Sequence, residues 1–484
     1  MKRVIPLREV EAFDLETDVL IAGFGGAGAC AALEARAAGA EVMVLERGSE
    51  GGGSTRMSAC EMYLGGHGGT ALQRDLGFED STQNFFNYLM EAFGPHADEE
   101  RVRVFVEGAA EHFDWMEGQG VPYKRGFFAG RDVVALTGDS LQYTGNERTL
   151  PFMRVSSPVP RGHLPADSGH KGGEKMMGIL LARAAEEGAV IHCDARALAL
   201  VQDERGAVHG MLARVDDRDQ LIRARRGVIL ATGGFIMNEV MTKRHLPELE
   251  RVCTRHGNPY DLGDGILMGV AAGANAIHMS EAFISIAHYP PESLSFGIFV
   301  NDRGQRFVNE DSYLARIGHF AAQQPSEQIY MFIDDAHFAR PRYVLNTKVV
   351  AVGETVAEVE AEAGLPTGSL RSTVELYNAY AERGEDPLFE KAPEYLAPLT
   401  KPPFALVSYK LSDIRPAVFT LGGLEVKPSG EVLTVDGEVI PGLYAAGRTV
   451  AGIPRTSKGY ASGMSVADVT YFGRLAGRAA AAKL

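Results

Sequence analysis

Apolar and polar positions near the N-terminus alternate in blocks that predict a strand, a helix and a second strand. The apolar run at 19–22 leads directly into G-x-G-x-x-G at 23–28, and an alanine-rich stretch with helical spacing follows. A second apolar run, at 42–45, ends on Glu46. Strand, glycine-rich turn, helix and strand in this order are typical of a βαβ unit.

The same pattern, followed along the rest of the chain, predicts further regular elements. Apolar residues recur with helical spacing at 99–120 and 171–187. The alternating runs at 190–201 and 207–216 are separated by turn residues and predict a strand hairpin. The remaining predictions are a buried strand at 227–234, a turn into a buried helix at 263–274 and a final helix at 464–482.

The periodicity becomes less regular between 281 and about 400, where the segment ends in a proline cluster. From 404 the chain returns to glycine-punctuated strands and the final helix. We therefore predict an α/β fold with a Rossmann-like nucleotide-binding domain, split in sequence by an inserted α+β cap domain. The predicted ranges are 1–280 and 403–484 for the nucleotide-binding domain and 281–402 for the cap.

The composition of the chain disfavours several classes of binding partner. The 484 residues include 63 acidic and 48 basic side chains, a net charge of −15, which disfavours nucleic acid and anionic membranes. Four scattered cysteines without a C-x-x-C pair are typical of reduced thiols, so we expect a cytoplasmic protein. We expect no membrane span, because no run approaches 18 apolar residues, and no metal site, because the histidines within 161–171 lack ligand spacing.

The glycine-rich turn has a direct physical interpretation. Gly23 permits the tight turn from strand to helix, and Gly28 lets the helix pack close to the strand. Gly25 has no side chain, so a pyrophosphate can approach the backbone at the positive end of the helix dipole. Glu46, at the end of the second strand, is placed to accept hydrogen bonds from a ribose. The sequence therefore predicts a dinucleotide site.

Four separated motifs resemble one flavoprotein family. They are the glycine turn with Glu46, GGGST at 51–55, ATGG at 231–234, and GLYAAG at 442–447 before the last helix. In this order they are similar to fumarate reductases, succinate dehydrogenases and 3-ketosteroid dehydrogenases. The resemblance implies FAD as the cofactor and a cap that covers its isoalloxazine ring.

The resemblance also implies which positions hold FAD. The start of the last helix would meet the flavin pyrimidine and favour negative charge on the reduced ring. Some relatives attach FAD to a histidine near the second motif, but none lies between Glu46 and Gly66, so we expect non-covalent binding. The implied cofactor-binding positions are Gly23, Gly25, Gly26, Ala27, Gly28, Glu46, Arg47, Gly52, Gly53, Ser54, Ala197, Thr232, Gly233, Gly447, Arg448, Gly463, Met464 and Ser465.

Three positions depart from the pattern of the dicarboxylate-binding members. Carboxylates are best held by arginine, and the family pattern places two arginines and a histidine around the substrate. Here the corresponding positions hold Leu314, Tyr460 and Phe419. A bulky, apolar ketone therefore suits the predicted pocket better than a dicarboxylate does.

The remaining polar groups fit dehydrogenation beside a ketone, which needs a hydride acceptor and a base. A tyrosine within a hydroxyl relay can act as this base without leaving a charge in an apolar pocket. Tyr460 and Ser462, with Tyr313 from the cap, resemble the active-site pattern of the 3-ketosteroid Δ4-(5α)-dehydrogenases. By that resemblance Tyr460 takes the C4 proton, Ser462 and Tyr313 pass it on, and FAD takes the C5 hydride.

Three alternatives stay open at this stage. A 3-ketosteroid Δ1-dehydrogenase is a close relative, although its usual Tyr-Pro-Gly-Pro-Gly turn is absent. A flavin-dependent reductase of an enone or of fumarate would use the same fold. A flavin-binding electron carrier would keep the cofactor and have no reactive pocket. For the enzymes, the sequence leaves the partner that exchanges electrons with the flavin unidentified.

Overall fold

The structure, a computed structural model, describes residues 2–249 and 252–482. Within this part of the chain, a nine-stranded sheet forms the centre of the nucleotide-binding region. Seven strands lie side by side, in the order Val4–Pro6, Arg196–Gln202, Val208–Val215, Arg218–Leu230, Leu15–Ala22, Val42–Leu45 and Val190–His192. Two more branch from the long strand, Val439–Ala445 beside it and Glu431–Leu433 outside that.

The predicted βαβ unit is confirmed. Leu15–Ala22 and Val42–Leu45 pair in parallel, and the helix Gly26–Ala37 makes the crossover between them. Residues 19–22 of the first strand and all four residues of the second are buried, as parallel strands covered on both faces require. The carboxyl ends of these strands point to one edge of the sheet, where ligands of such folds bind.

The predicted hairpin differs in its first arm. Residues 190–201 form two strands, because the chain turns at Asp194, which has a positive φ of 51°. Val190–His192 extends the sheet beside Val42–Leu45, whereas Arg196–Gln202 pairs with Val208–Val215 at the other end. The prediction of one continuous arm was therefore wrong.

The last helix, Met464–Ala482, packs closely against the helix Gly26–Ala37. A Cβ at Gly473 would lie 2.5 Å from the Ala27 carbonyl oxygen, and one at Gly477 would lie 2.3 Å from that of Ala31. Glycines four residues apart thus face alanines four residues apart, and the two backbones approach closely. This contact directs the beginnings of both helices towards the same edge of the sheet.

A smaller sheet of four strands lies in the region predicted to be the cap. Its order is Ile298–Asn301, Ile329–Asp334, Phe404–Ser408 and Lys348–Gly353. Because Phe404–Ser408 pairs inside this sheet, it would place the end of a cap beyond 402. The division of the chain into domains stays a prediction.

The remaining strands form three short sheets. They consist of Thr254–Arg255 with Ala417–Thr420 and Ala282–Ser285, of Ala276–Ile277 with Gly423–Leu424, and of Met62–Tyr63 with Gly162–His163, Leu141–Gln142 and Phe127–Phe128. The remaining α-helices are Gly53–Arg56, Ala71–Asp75, Thr82–Phe93, Glu99–Gly118, Gly172–Glu186, Glu239–His245, Asp264–Ala271, Leu314–Ala322, Val356–Glu362, Ser369–Ala381 and Leu411–Ile414.

Candidate active site

The glycines of the first turn have three different environments. A Cβ at Gly23, where φ is +101°, would lie 2.3 Å from the Ala231 carbonyl oxygen. A Cβ at Gly28 would lie 2.0 Å from the Gly23 carbonyl oxygen. At Gly25 the nearest atom would be 3.8 Å away, so this face is open. Gly23 and Gly28 thus allow neighbouring backbone segments to pack closely. Gly25 leaves room at the helix N-terminus for phosphate groups.

Gly23 and Gly25 of the first turn line a cleft, and Glu46 lies in the same cleft. Its Oε2 accepts a hydrogen bond from the Phe24 backbone N–H at 2.9 Å, and its Oε1 accepts one from Gly48 at 2.7 Å. Burial raises the pKa of this carboxyl, and the backbone N–H groups oppose that rise. Each oxygen retains a lone pair, so Glu46 can still accept a hydrogen bond from a ribose hydroxyl.

Arg448 forms an ion pair that the sequence did not predict. Its Nη2 donates to Asp261 Oδ2, which also accepts a hydrogen bond from Ser54 Oγ at 2.7 Å. A Cβ at Gly233 would lie 2.2 Å from Asp261 Oδ1, so the carboxylate fits closely against that turn. Asp261 thus supplies a negative charge beside Arg448 from a distant segment of the chain.

The structure brings most of the predicted cofactor positions together. Gly28 and Gly52 support the turns beside the cleft, and Met464 is buried beneath the start of the last helix. Gly463 and Ser465 lie in a second cavity, described below. The cleft itself is lined by Gly23, Gly25, Gly26, Ala27, Glu46, Arg47, Gly53, Ser54, Ala197, Thr232, Gly233, Gly447 and Arg448.

A second cavity of about 600 Å³ adjoins this cleft. Ser54, Thr55, Arg448 and Val469 line both spaces, so a long ligand can extend from one into the other. The volume lies within the usual range of small-molecule sites.

An aromatic wall forms one side of the second cavity. Phe283 and Phe419 stand opposite each other on paired antiparallel strands, and their ring centroids are 4.6 Å apart. The Tyr460 ring packs against both, at 4.6 Å from Phe283 and 6.0 Å from Phe419. The wall fixes the phenol of Tyr460 and presents an apolar surface.

Tyr460 meets the beginning of the last helix. Its hydroxyl donates to Ser465 Oγ at 2.9 Å and accepts from the Ser465 backbone N–H at 3.3 Å. Burial raises the pKa of Tyr460 to about 12, and the bonds from Ser465 limit this rise. The helix N–H group is thus placed to stabilise negative charge that develops on the phenol oxygen.

Tyr313 and Ser462 form a separate pair in the same cavity. Tyr313 is 4% exposed, and burial raises its pKa well above the usual value, while the Ser462 side chain opposes this. Tyr460 also lies close enough to Tyr313 to affect its pKa. The structure therefore brings all three predicted catalytic residues to one cavity, with Ser462 beside Tyr313 and Ser465 beside Tyr460.

The cationic side chains that line this cavity have partners elsewhere. Arg448 is paired with Asp261, and Arg415 Nη2 donates to the Cys253 carbonyl oxygen at 2.8 Å. Burial lowers the pKa of His256, and the positive charge of Arg448 lowers it further, so both favour the neutral imidazole. Among the described residues, the cavity is lined by two arginines, of which Arg448 is already paired with a carboxylate, so it offers no pair of free guanidinium groups to a dicarboxylate.

The two adjoining spaces fit FAD. The open face at Gly25 receives phosphates at one helix N-terminus, and the second cavity begins at the N-terminus of the last helix. Arg47 and Tyr260 also line the first cleft, and the Arg47 guanidinium carbon lies 4.7 Å from the centroid of the Tyr260 ring. These features provide one continuous site for a long dinucleotide.

Comparisons with known proteins agree with this geometry. Residues 18–463 match the FAD binding domain family. The crystal structure of 3-ketosteroid-Δ4-(5α)-dehydrogenase from Rhodococcus jostii RHA1, in complex with 4-androstene-3,17-dione, is 39% identical, with 99% of each chain covered and a TM-score of 0.91. The chain therefore belongs to the FAD-binding flavoprotein family, together with that dehydrogenase. FAD as cofactor and the class of FAD-dependent oxidoreductase are thus confirmed.

Curated relatives include both a fumarate oxidoreductase and a steroid dehydrogenase. The NADH:fumarate oxidoreductase of Klebsiella pneumoniae (strain 342) is 28% identical over 96% of this chain, and the chain spans 47% of that protein. The 3-oxo-5-alpha-steroid 4-dehydrogenase of Comamonas testosteroni is 27% identical, with 89% of this chain and 92% of that protein covered.

No helix in residues 2–249 and 252–482 is both long and apolar enough to cross a membrane. Over the same described ranges, no group of three or more His, Cys, Asp or Glu side chains is arranged to hold a metal ion.

Proposed function

We propose that the protein dehydrogenates a 3-ketosteroid between C4 and C5 and gives a 4-ene-3-ketosteroid. The cavity of about 600 Å³ carries this proposal, because an aromatic wall and two phenols occupy it. Leu314, Phe419 and Tyr460 stand where dicarboxylate-binding members carry cationic side chains or histidine. The whole-length likeness to a dehydrogenase that binds 4-androstene-3,17-dione supports the same substrate class.

In the proposed reaction, FAD supplies the acceptor for the C5 hydride at flavin N5. Tyr460 accepts the C4 proton, and the Ser465 N–H stabilises the charge that develops on its oxygen. Tyr313 and Ser462 then pass a proton away from the substrate. The apolar wall excludes water, which strengthens each of these electrostatic contacts.

A test of this proposal locates the new double bond. The purified protein is incubated with 5α-androstane-3,17-dione and an artificial electron acceptor, and the product is analysed by NMR. We expect a double bond between C4 and C5. A double bond between C1 and C2 would instead support a Δ1-dehydrogenase and contradict the proposed regiochemistry.

A reductase is the second candidate, because the Klebsiella NADH:fumarate oxidoreductase matches 96% of this chain. A reduced dye supplied with fumarate or an enone tests it. Rapid reduction of fumarate, without oxidation of any saturated ketosteroid, would favour the reductase. The electron acceptor that reoxidises FAD in the proposed reaction is unidentified.

We also propose that FAD is held without a covalent bond, because no histidine lies between Glu46 and Gly66. Acid precipitation should release the flavin into the supernatant. Flavin that remains in the washed pellet would contradict this.

A further inference from the structure

A buried carboxyl that the mechanism does not yet use faces the same cavity. Glu61 lines the cavity and is 3% exposed. Its Oε1 accepts a hydrogen bond from Gln142 Nε2 at 2.7 Å, whereas its Oε2 has no fully formed hydrogen bond with any described residue. The Ser462 side chain interacts with this carboxyl and also with Tyr313. A buried oxygen without a full partner is costly, so its retention here needs a reason.

The backbone holds Ser462 and Glu61 next to each other. The Ser462 N–H donates to the Thr144 carbonyl oxygen at 2.9 Å, and Thr144 Oγ1 donates back to the Ser462 carbonyl oxygen at 3.1 Å. A Cβ at Gly463 would lie 3.0 Å from the Glu61 carbonyl carbon, and one at Gly162 would lie 2.6 Å from Glu61 Oε1. Gly463 therefore lets the turn before the last helix approach the Glu61 backbone, and Gly162 leaves room for the Glu61 carboxyl.

The surroundings of Glu61 suit a group that changes its protonation near neutral pH. Burial raises its pKa to about 8, Glu147 adds to the rise, and Ser462 and Gln142 oppose it. The titratable groups that face it are Glu147, Tyr313 and Tyr460, and the pKa values of both tyrosines respond to Glu61. No cation is paired with it among the described residues.

We propose that Glu61 is the proton acceptor at the inner end of the relay and acts through Ser462. This inference rests on the proposed steroid dehydrogenation. Because it acts on the substrate only through Ser462, Glu61 is a positioning residue that also holds a proton. It gives the relay an end inside the cavity, where bulk water is excluded while substrate is bound.

The transfer balances without another reactant. The C4–H bond breaks, its electron pair becomes the C4–C5 double bond, and C5 gives up a hydride, for which bound FAD would supply the acceptor. The proton reaches Tyr460, and the proton that Tyr460 releases passes by way of Tyr313 and Ser462 to the Glu61 carboxylate. For this transfer the Tyr460 hydroxyl turns from Ser465 Oγ, to which it donates in the structure, towards the nearby Tyr313. Glu61 becomes a neutral carboxyl and returns the proton to water after the product leaves.

The inference predicts a specific pH dependence. Only the ionised carboxylate accepts a proton, and the ionised fraction falls as the pH drops below about 8. The rate of flavin reduction by substrate should therefore rise through about pH 8 and then level off. Glu61→Gln keeps the size and the bond partner of the side chain but cannot accept a proton.

The test follows anaerobic single-turnover reduction of the flavin by 5α-androstane-3,17-dione over a range of pH. For Glu61→Gln we expect a flat profile, about tenfold slower than wild type at about pH 9 and nearly equal to it at about pH 6. Steroid affinity should be unchanged. A purely structural role would lower the rate by the same factor at every pH.

Glu147→Gln is the matched control. Glu147 is also a buried carboxyl, but its Oε2 accepts a hydrogen bond from the Gly145 N–H at 2.8 Å and it is not among the residues that line the cavity. This variant should keep a rise with pH, moved to lower pH because Glu147 no longer adds to the raised pKa of Glu61. Loss of the rise in Glu147→Gln with its retention in Glu61→Gln would overturn the assignment.

The outcomes separate the inference from the proposed function. If wild-type flavin is not reduced by a saturated ketosteroid at any pH, the proposed function fails. If wild type is reduced but its profile is flat, or Glu61→Gln keeps the wild-type profile, only the role of Glu61 fails. If Glu61→Gln does not retain FAD, the wild-type profile decides: a rise near pH 8 supports the role, and a flat profile contradicts it.

Discussion

Phe419 stacks on Phe283 across a pair of antiparallel strands, with ring centroids 4.6 Å apart and ring planes inclined by 17°. Phe419 stands at the position where the dicarboxylate pattern of the family has a histidine. The exchange replaces a polar anchor by one half of an aromatic wall, and this wall also supports Tyr460. In the proposed reaction, one residue therefore affects both the substrate class and the position of the proposed base.

Shortening this wall should weaken steroid binding. Phe419→Ala removes the stacked ring, exposes Phe283 and leaves Tyr460 less well fixed. We expect about tenfold weaker steroid affinity, equal to about 1.4 kcal/mol, together with slower flavin reduction. Titration of the flavin spectrum with steroid measures the affinity. Leu345→Ala, at a site that is 82% exposed, is the control and should bind as wild type does. Equal affinity in both variants would contradict the role of the wall.

Removing the phenol of Tyr460 should affect the chemical step. Tyr460→Phe keeps the ring contacts but cannot accept the C4 proton, so we expect flavin reduction to slow by about 100-fold with steroid affinity nearly unchanged. Tyr343→Phe is the control, because the Tyr343 hydroxyl also belongs to a cavity residue but contacts Asp132 and His170. Stopped-flow measurements distinguish the two. Full activity of Tyr460→Phe would show that another group takes the proton.

Removing Asp261 alone should destabilise the protein more than removing the charges of Asp261 and Arg448 together. Asp261→Asn leaves the mostly buried Arg448 without its counter-charge and should lower the free energy of unfolding by about 2 kcal/mol. The double variant Asp261→Asn with Arg448→Met removes both charges and should recover part of that loss. Denaturation of the FAD-free protein measures this. Additive losses in the double variant would argue against coupling.

Two glycines of the first turn should respond differently to alanine. Gly28→Ala places a Cβ 2.0 Å from the Gly23 carbonyl oxygen and should prevent the native packing of strand and helix. Gly25→Ala meets nothing within 3.8 Å and has an extended φ of −82°, so the protein should fold but bind FAD more weakly. Circular dichroism and FAD titration test both. A folded Gly28→Ala variant, or normal FAD affinity in Gly25→Ala, would contradict this division of roles.

The sequence predicted the parts of the fold that depend on local spacing. Gly23 and Gly28 are five residues apart in one turn, and their steric roles follow from that spacing alone. The last helix could be predicted because its apolar periodicity is long and continuous. The break at Asp194 could not, because a single residue with positive φ interrupts an otherwise apolar run.

The partners of the site residues depend on contacts that spacing does not reveal. Asp261 lies 187 positions from Arg448, so no local spacing in the sequence links the two residues. Glu61 reads as an ordinary acid beside a glycine-rich segment. Its burial, and hence its raised pKa, arises only when the turn at Gly463 packs against it.

The central claim is that this flavoprotein oxidises an apolar saturated ketone and does not act on a dicarboxylate. Anaerobic addition of 5α-androstane-3,17-dione to the FAD-loaded protein, compared with addition of succinate, tests it most directly. We predict that the steroid bleaches the flavin absorbance and that succinate leaves it unchanged. Bleaching by succinate with no response to the steroid would contradict the account.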